Sequence, residues 1–220
     1  MKTREPEDFV DYYNKEGIFG DKQAQMRRDE FHSFLATRIE SVIKDCAPQS
    51  LLDVGCAEGR YVFSSLTGSN RGVGVDVSDA KLERARLLAS QLGVTESTSF
   101  IHADAHDLPF ENGSFDVVLC SQVLEHLNNP NQAMQELSRV ASSHVIVSTP
   151  VWSCLSPLGF GSPYRSRDYK LCKDGHIHWF SSQKLRKMAQ ESGLDVCRIE
   201  PICGRYPLRR LLRSLPGGGA

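Results

Sequence analysis

The feature that most restricts this chain's fold is an alternation: short apolar runs of strand length, each closed by a turn and followed by a stretch with helical spacing. Leu51, Leu52, Asp53 and Val54 form such a run, ending in a turn that carries Gly55 and Gly59, and residues 61–66 resume a helical pattern. Residues 72–76 repeat the design, followed by a helix capped near Ser78 or Asp79 with Leu82, Ala85, Leu88, Ala89 and Leu92 on one face. Residues 97–102, 115–120 and 144–148 supply three more strands, and 131–140 a helix after Pro130. Ser181 or Ser182 caps a helix running to Glu191, Gly193 stops it, and 194–199 reads as a sixth strand. This spacing predicts an α/β fold: a doubly wound, mostly parallel sheet with helices on both faces.

The rest of the chain frames that unit. Residues 1–26 read as an N-terminal arm with Phe9, Tyr12, Tyr13 and Phe19, and apolar positions 31, 34, 35, 39, 42 and 43 predict an amphipathic helix ending near Pro48. The main domain spans 27–202, with a lid insertion over 150–178, and 203–220 form a tail. At 220 residues the chain suits one domain, and 26 basic against 27 acidic residues leave a net charge of -1. That balance sets up no broad field for nucleic acid. Seven cysteines with no C-x-x-C pair read as reduced thiols. With neither a leader nor a membrane span legible, a cytoplasmic protein is expected.

Open parallel sheets bind ligands beyond the carboxyl ends of their strands, where strand order reverses. Here those ends carry acids: Asp53 in the first strand, Asp76 ending the second, Asp104 after the third. A dinucleotide fingerprint needs G-x-G-x-x-G, but the middle position is Ala57 and the last is Arg60. Asp53 and Glu58 would also repel a pyrophosphate and attract a cation. The sulfonium of S-adenosylmethionine fits that charge; NAD does not.

LLDVGCAEGRYV, GVGVDVS, IHADAHDLPFENGSFDVVLCSQVLEHL and HVIVSTP resemble the successive motifs of class I S-adenosylmethionine-dependent methyltransferases, in particular the small-molecule type 11 group. The resemblance covers roughly residues 30–200 and implies a Rossmann-like sheet. It implies that Asp53, Gly55, Ala57 and Gly59 hold the methionine end of the cofactor, Asp76 the ribose, Asp104 with Ala105 the adenine, and that Ser121 and Gln122 line the sulfonium side. Two departures stand out. Ala57 replaces a family glycine, and nothing after Pro201 supplies the antiparallel seventh strand, so the last strand reads as missing.

A sulfonium methyl is already electrophilic, so no covalent nucleophile is needed, while an oxygen or carbon acceptor can need a general base. His126, His176 and His178 are the candidates, and the alternation around Ile177 turns only one of the last two toward a pocket. Cys172-x₃-His176-x-His178 lacks a fourth ligand, so no metal site is expected. Tyr12, Tyr13, Trp152, Tyr164 and Arg165 suit a ring-bearing or anionic acceptor. The basic stretch 208–213 is a candidate for peripheral membrane contact. The leading expectation is methyl transfer to a small-molecule O, N or C nucleophile. The alternative is a cofactor-binding or interaction protein without turnover. RNA or protein methylation ranks below both, as the base-amino methyltransferase signature is absent after the fourth strand.

Overall fold

A computed structural model describes residues 22–67, 70–150 and 175–200, with side chains from Ser33 onward. Five strands form one sheet: β1 (Ser50–Val54), β2 (Arg71–Asp76), β3 (Thr98–His102), β4 (Phe115–Ser121) and β5 (Ala141–Ser148). Their order is β3-β2-β1-β4-β5, and every pairing is parallel. The order reverses between β1 and β4, so the carboxyl ends of those strands flank the switch point where a doubly wound sheet binds its ligand.

The strand sequences explain why the sheet is covered on both sides. All five residues of β1 are buried, so it cannot be a half-exposed strand. On one face α1 (Lys22–Cys46) lays Leu35, Ile39 and Ile43 on Leu51, Val117 and Leu119. Val62 of the short α2 (Arg60–Ser64) joins Leu82, Ala85 and Ala89 of α3 (Asp79–Leu92) over Phe100. Across the sheet, Leu52, Val54, Val118 and Cys120 meet α4 (Pro130–Val140) through Ala133, Met134, Leu137 and Val140. Phe180 and Met188 of α5 (Ser182–Glu191) close that side. The caps follow the sequence: Ser78, Asn129 and Ser181 accept backbone N–H bonds from the first turns of α3, α4 and α5, and Gly193 turns left-handed just past α5.

Three expectations are corrected. The first helix starts at Lys22, inside the stretch assigned to the arm. The buried stripe of α3 is Leu82, Ala85 and Ala89; Leu88 and Leu92 are 36% and 60% exposed. Two small alanines bring the helix close to the sheet and leave the leucines on its shoulder. Residues 194–199 form no strand. Leu194 packs into the core beside α5, then Glu200 takes a bidentate hydrogen bond from Arg38 of α1. The chain is thereby drawn toward α1 instead of extending the ladder at β5. Among the described residues the sheet therefore has five strands, and no antiparallel strand enters it.

Candidate cofactor and acceptor site

The turn after β1 is built from left-handed backbone. Gly55, Ala57 and Gly59 have φ of 76°, 47° and 83°. At Gly55 an added Cβ would lie 2.3 Å from Val123 Cγ2, and at Gly59 2.7 Å from the Phe100 ring, so both positions need glycine for space as well as for φ. Ala57 holds the same kind of φ with a methyl group and is strained. The turn is pinned to β2: Gly55 and Cys56 both donate to the Val75 carbonyl, at 2.8 and 3.0 Å. Asp76 completes the pin, accepting from Ala57 N and Ser78 N, each at 2.9 Å. Each carboxylate oxygen retains a second lone pair for a ligand hydroxyl.

Asp53 lies beneath this turn, 1% exposed, and its Oδ2 has no hydrogen-bond partner among the described residues. Burial, followed by the negative charge of Asp76, pushes its carboxyl up to about 8. A cation arriving in the crevice would offset both causes. Glu58, the other acid expected to attract a cation, is already occupied: it bridges Lys81 and Arg84 at 3.3 and 3.2 Å. Partial burial works against its ionisation, but Arg84 and Lys81 outweigh it and hold the carboxyl below its usual range. The electrostatic role expected of Glu58 is therefore corrected.

Asp104, expected at the adenine, is exposed and tied to its neighbour, Oδ1 lying 2.9 Å from His106 N and 2.6 Å from His106 Nδ1. The Ala105 side chain is buried in the core. Beyond β4, Gln122 is left-handed at φ 58° and donates its N–H to the Ser148 carbonyl at 2.8 Å. The Ser121 and Ser148 hydroxyls lie 2.8 Å apart, and Gln122 Nε2 donates to Ser148 Oγ at 3.3 Å. Burial raises the Tyr61 phenol above its usual value, with the Ser121 hydroxyl beside it opposing that shift. Tyr61 and Ser148 are missed in the sequence. Ser148 was legible by the same strand-end logic that selected Asp76.

The histidines separate into two groups. Residues 175–180 form a strap held to the helical turn Leu124–His126, where the Glu125 carbonyl accepts from both Ile177 N and His178 N. His176 meets His126 edge to face, with ring centroids 4.7 Å apart. His178 points elsewhere: burial, then Lys184, lowers its pKa, and the Asn128 and Leu127 carbonyls beside it oppose that shift. Of the alternating pair, His176 meets His126 and His178 does not. The residue sequence reasoning passed over is Glu125, an acid inside the apolar run VLEHL, now 0% exposed. Burial pushes its carboxyl up to about 7, with a backbone N–H and the Thr149 hydroxyl opposing. Buried Cys56 and Cys120 thiols are pushed up chiefly by burial, which makes them inert. Tyr12, Tyr13, Trp152, Tyr164, Arg165 and the basic stretch 208–213 lie outside the described residues.

Residues 52–147 match a family model described as a methyltransferase domain. The order of the sheet, its switch-point acids and that match agree. This is a class I S-adenosylmethionine-dependent methyltransferase fold. The chain is 29% identical over 185 residues to the chloroplastic tocopherol O-methyltransferase of Arabidopsis thaliana, an alignment spanning 80% of this chain and 52% of that protein. It is 33% identical over 113 residues to ajmaline N-methyltransferase of Rauvolfia serpentina, covering 50% and 39% respectively. The chain thus spans about half or less of these curated relatives. Magnesium protoporphyrin IX methyltransferase from Synechocystis PCC 6803, solved with bound SAH, superposes with a TM-score of 0.69 at 19% identity, over 92% of this chain and 95% of that one. S-adenosylmethionine is the cofactor that the resemblance of the sequence motifs implies. The crevice residues fit it: a buried carboxyl oxygen without a hydrogen-bond partner suits a cationic nucleoside and penalises a diphosphate. No described helix is long and apolar enough to cross a membrane.

Proposed function

We propose that this methyltransferase domain transfers a methyl group to a small-molecule O, N or C nucleophile. The observation that carries the reading is Asp53, buried at the switch point with an oxygen that has no hydrogen-bond partner. S-adenosylmethionine supplies a sulfonium whose methyl is electrophilic without further activation. The chain's own residues bind, orient and exclude water. Asp76 accepts the ribose hydroxyls while it keeps the turn amides in place. The Gly55 to Gly59 backbone cradles the methionine end above Asp53, and Asp104 with the Ala105 backbone receives the adenine. Tyr61, Ser121, Gln122 and Ser148 form the wall between cofactor and acceptor, with the Ser121, Gln122 and Ser148 side chains already tied to one another. His178 anchors the strap. His126 and His176, beside Glu125, stand on the acceptor side.

Titration calorimetry tests the cofactor half, with S-adenosylmethionine binding and NAD not binding. Asp76→Ala removes the ribose acceptors and the pin from Ala57 N and Ser78 N together, and is expected to weaken S-adenosylmethionine by roughly a hundredfold or more. Unchanged affinity would withdraw the site assignment. Transfer of labelled methyl to a panel of phenols, amines and carbon acids tests the second half. Binding without transfer to any of them would favour a non-catalytic cofactor-binding protein.

A further inference from the structure

The cluster after β4 has a composition that neither cofactor binding nor packing requires. Glu125 is fully buried, and neither of its carboxylate oxygens makes a hydrogen bond of ordinary geometry among the described residues; the Thr149 hydroxyl lies alongside without one. Leaving a buried carboxylate unsatisfied costs several kcal/mol on the order of a lost charged hydrogen bond or more. Two imidazoles converge on it: one donor atom each from Glu125, His126 and His176 lie within 4.8 Å of one another. The backbone enforces this convergence. Glu125 and His126 are adjacent on one helical turn, while the strap's N–H bonds from Ile177 and His178 to the Glu125 carbonyl bring His176 over it.

The geometry points to a divalent transition-metal site formed by Glu125, His126 and His176. Two neutral imidazoles and one carboxylate are a donor set for zinc and its first-row neighbours. Bonds of about 2.0–2.1 Å would draw tetrahedral donors to roughly 3.3 Å apart, a closure that side-chain rotation can supply. The three ligands would also clamp the strap to the end of β4. Three protein ligands leave a fourth position open to water or to an oxygen of the acceptor. The expected metal-free histidine region is thereby revised, with ligands drawn from Glu125 and His126 in place of Cys172 and His178. One consequence rests on the methyl-transfer reading: an acceptor hydroxyl bound at the open position would lose its proton to water, so a metal would do the work otherwise asked of a histidine base.

Metal binding is measured on the full chain, stripped with chelator and titrated separately with zinc and cobalt(II) ions. About one ion per chain is expected, and cobalt should show the visible bands of a low-coordinate nitrogen and oxygen site with no thiolate charge-transfer band. His176→Ala and Glu125→Gln should each weaken zinc by roughly tenfold or more. Substoichiometric binding, a thiolate charge-transfer signature or affinity unchanged in His176→Ala would each overturn the site. Should a variant fail to fold, the cobalt spectrum of the unaltered chain decides. S-adenosylmethionine calorimetry on the same samples tests the cofactor reading separately, since its crevice uses none of the three ligands.

Discussion

The turn after β1 has its polar groups satisfied within itself and by β2. Gly55 and Cys56 donate to Val75, Ala57 and Ser78 donate to Asp76, and Gly59 donates to Cys56. The stretch after β4, whose Val123 side chain comes close against Gly55, is built the other way. Its left-handed Gln122 relies on β5 through Ser148, and its buried Glu125 side chain depends on what the strap brings, some fifty residues later. The first turn is preorganised within itself and by the next strand, about twenty residues on. The second is completed by β5 and by a strap about fifty residues on. A cofactor shared by a whole fold can be held by a local, rigid device, whereas an acceptor particular to one protein is met by parts gathered from far along the chain.

Four substitutions would break or sharpen that contrast. The largest effect is expected at Gly55→Val, where the new side chain meets Val123 and a φ of 76° together. A loss of about 3 kcal/mol or more in denaturant unfolding is anticipated. A folded variant that merely lost cofactor would show that the two turns are less tightly fitted than described.

Asp53→Asn comes next. In the native protein the Asp53 carboxyl stays protonated up to about 8, whereas its ordinary value is 3.8. The folded state therefore holds a proton that the unfolded state releases above pH 4. Stability falls as pH rises from about 4 to about 8, with a limiting slope of about 1.4 kcal/mol per pH unit. Asn removes this contribution, while Glu125, raised to about 7, contributes with the same sign and remains. Melts across that range should be visibly flatter in the variant. Because a cation favours the ionised form, S-adenosylmethionine affinity in the unaltered chain should increase over the same interval, and this increase should shrink in Asp53→Asn.

Ala57→Gly is expected to stabilise by about 0.5–1 kcal/mol, the relief of φ 47° outweighing the extra chain entropy of glycine. A melting temperature raised by roughly 1–4 °C would record it. Glu58→Gln should have the smallest effect, changing cofactor affinity by less than about twofold, since its charge is spent on partly exposed Lys81 and Arg84. A tenfold loss would return Glu58 to the group of cation-attracting acids.

What sequence determined is what local physics encodes. The short apolar runs, the helical stripe of α1, the caps Ser78 and Ser181 and the acids at strand ends are all properties of short windows, and the positions of Asp53, Asp76 and the glycine turn follow from them. Leu88 and the 194–199 run were misread because their fate depends on how close a helix sits and on whether a partner edge receives them. The isolated letters of LEHL named His126 and hid Glu125, since a carboxylate in an apolar run is unremarkable until burial strips it of water. Only the tertiary structure could bring His176 to that pair: two backbone bonds to one carbonyl, across a separation of about fifty residues, leave no trace in spacing.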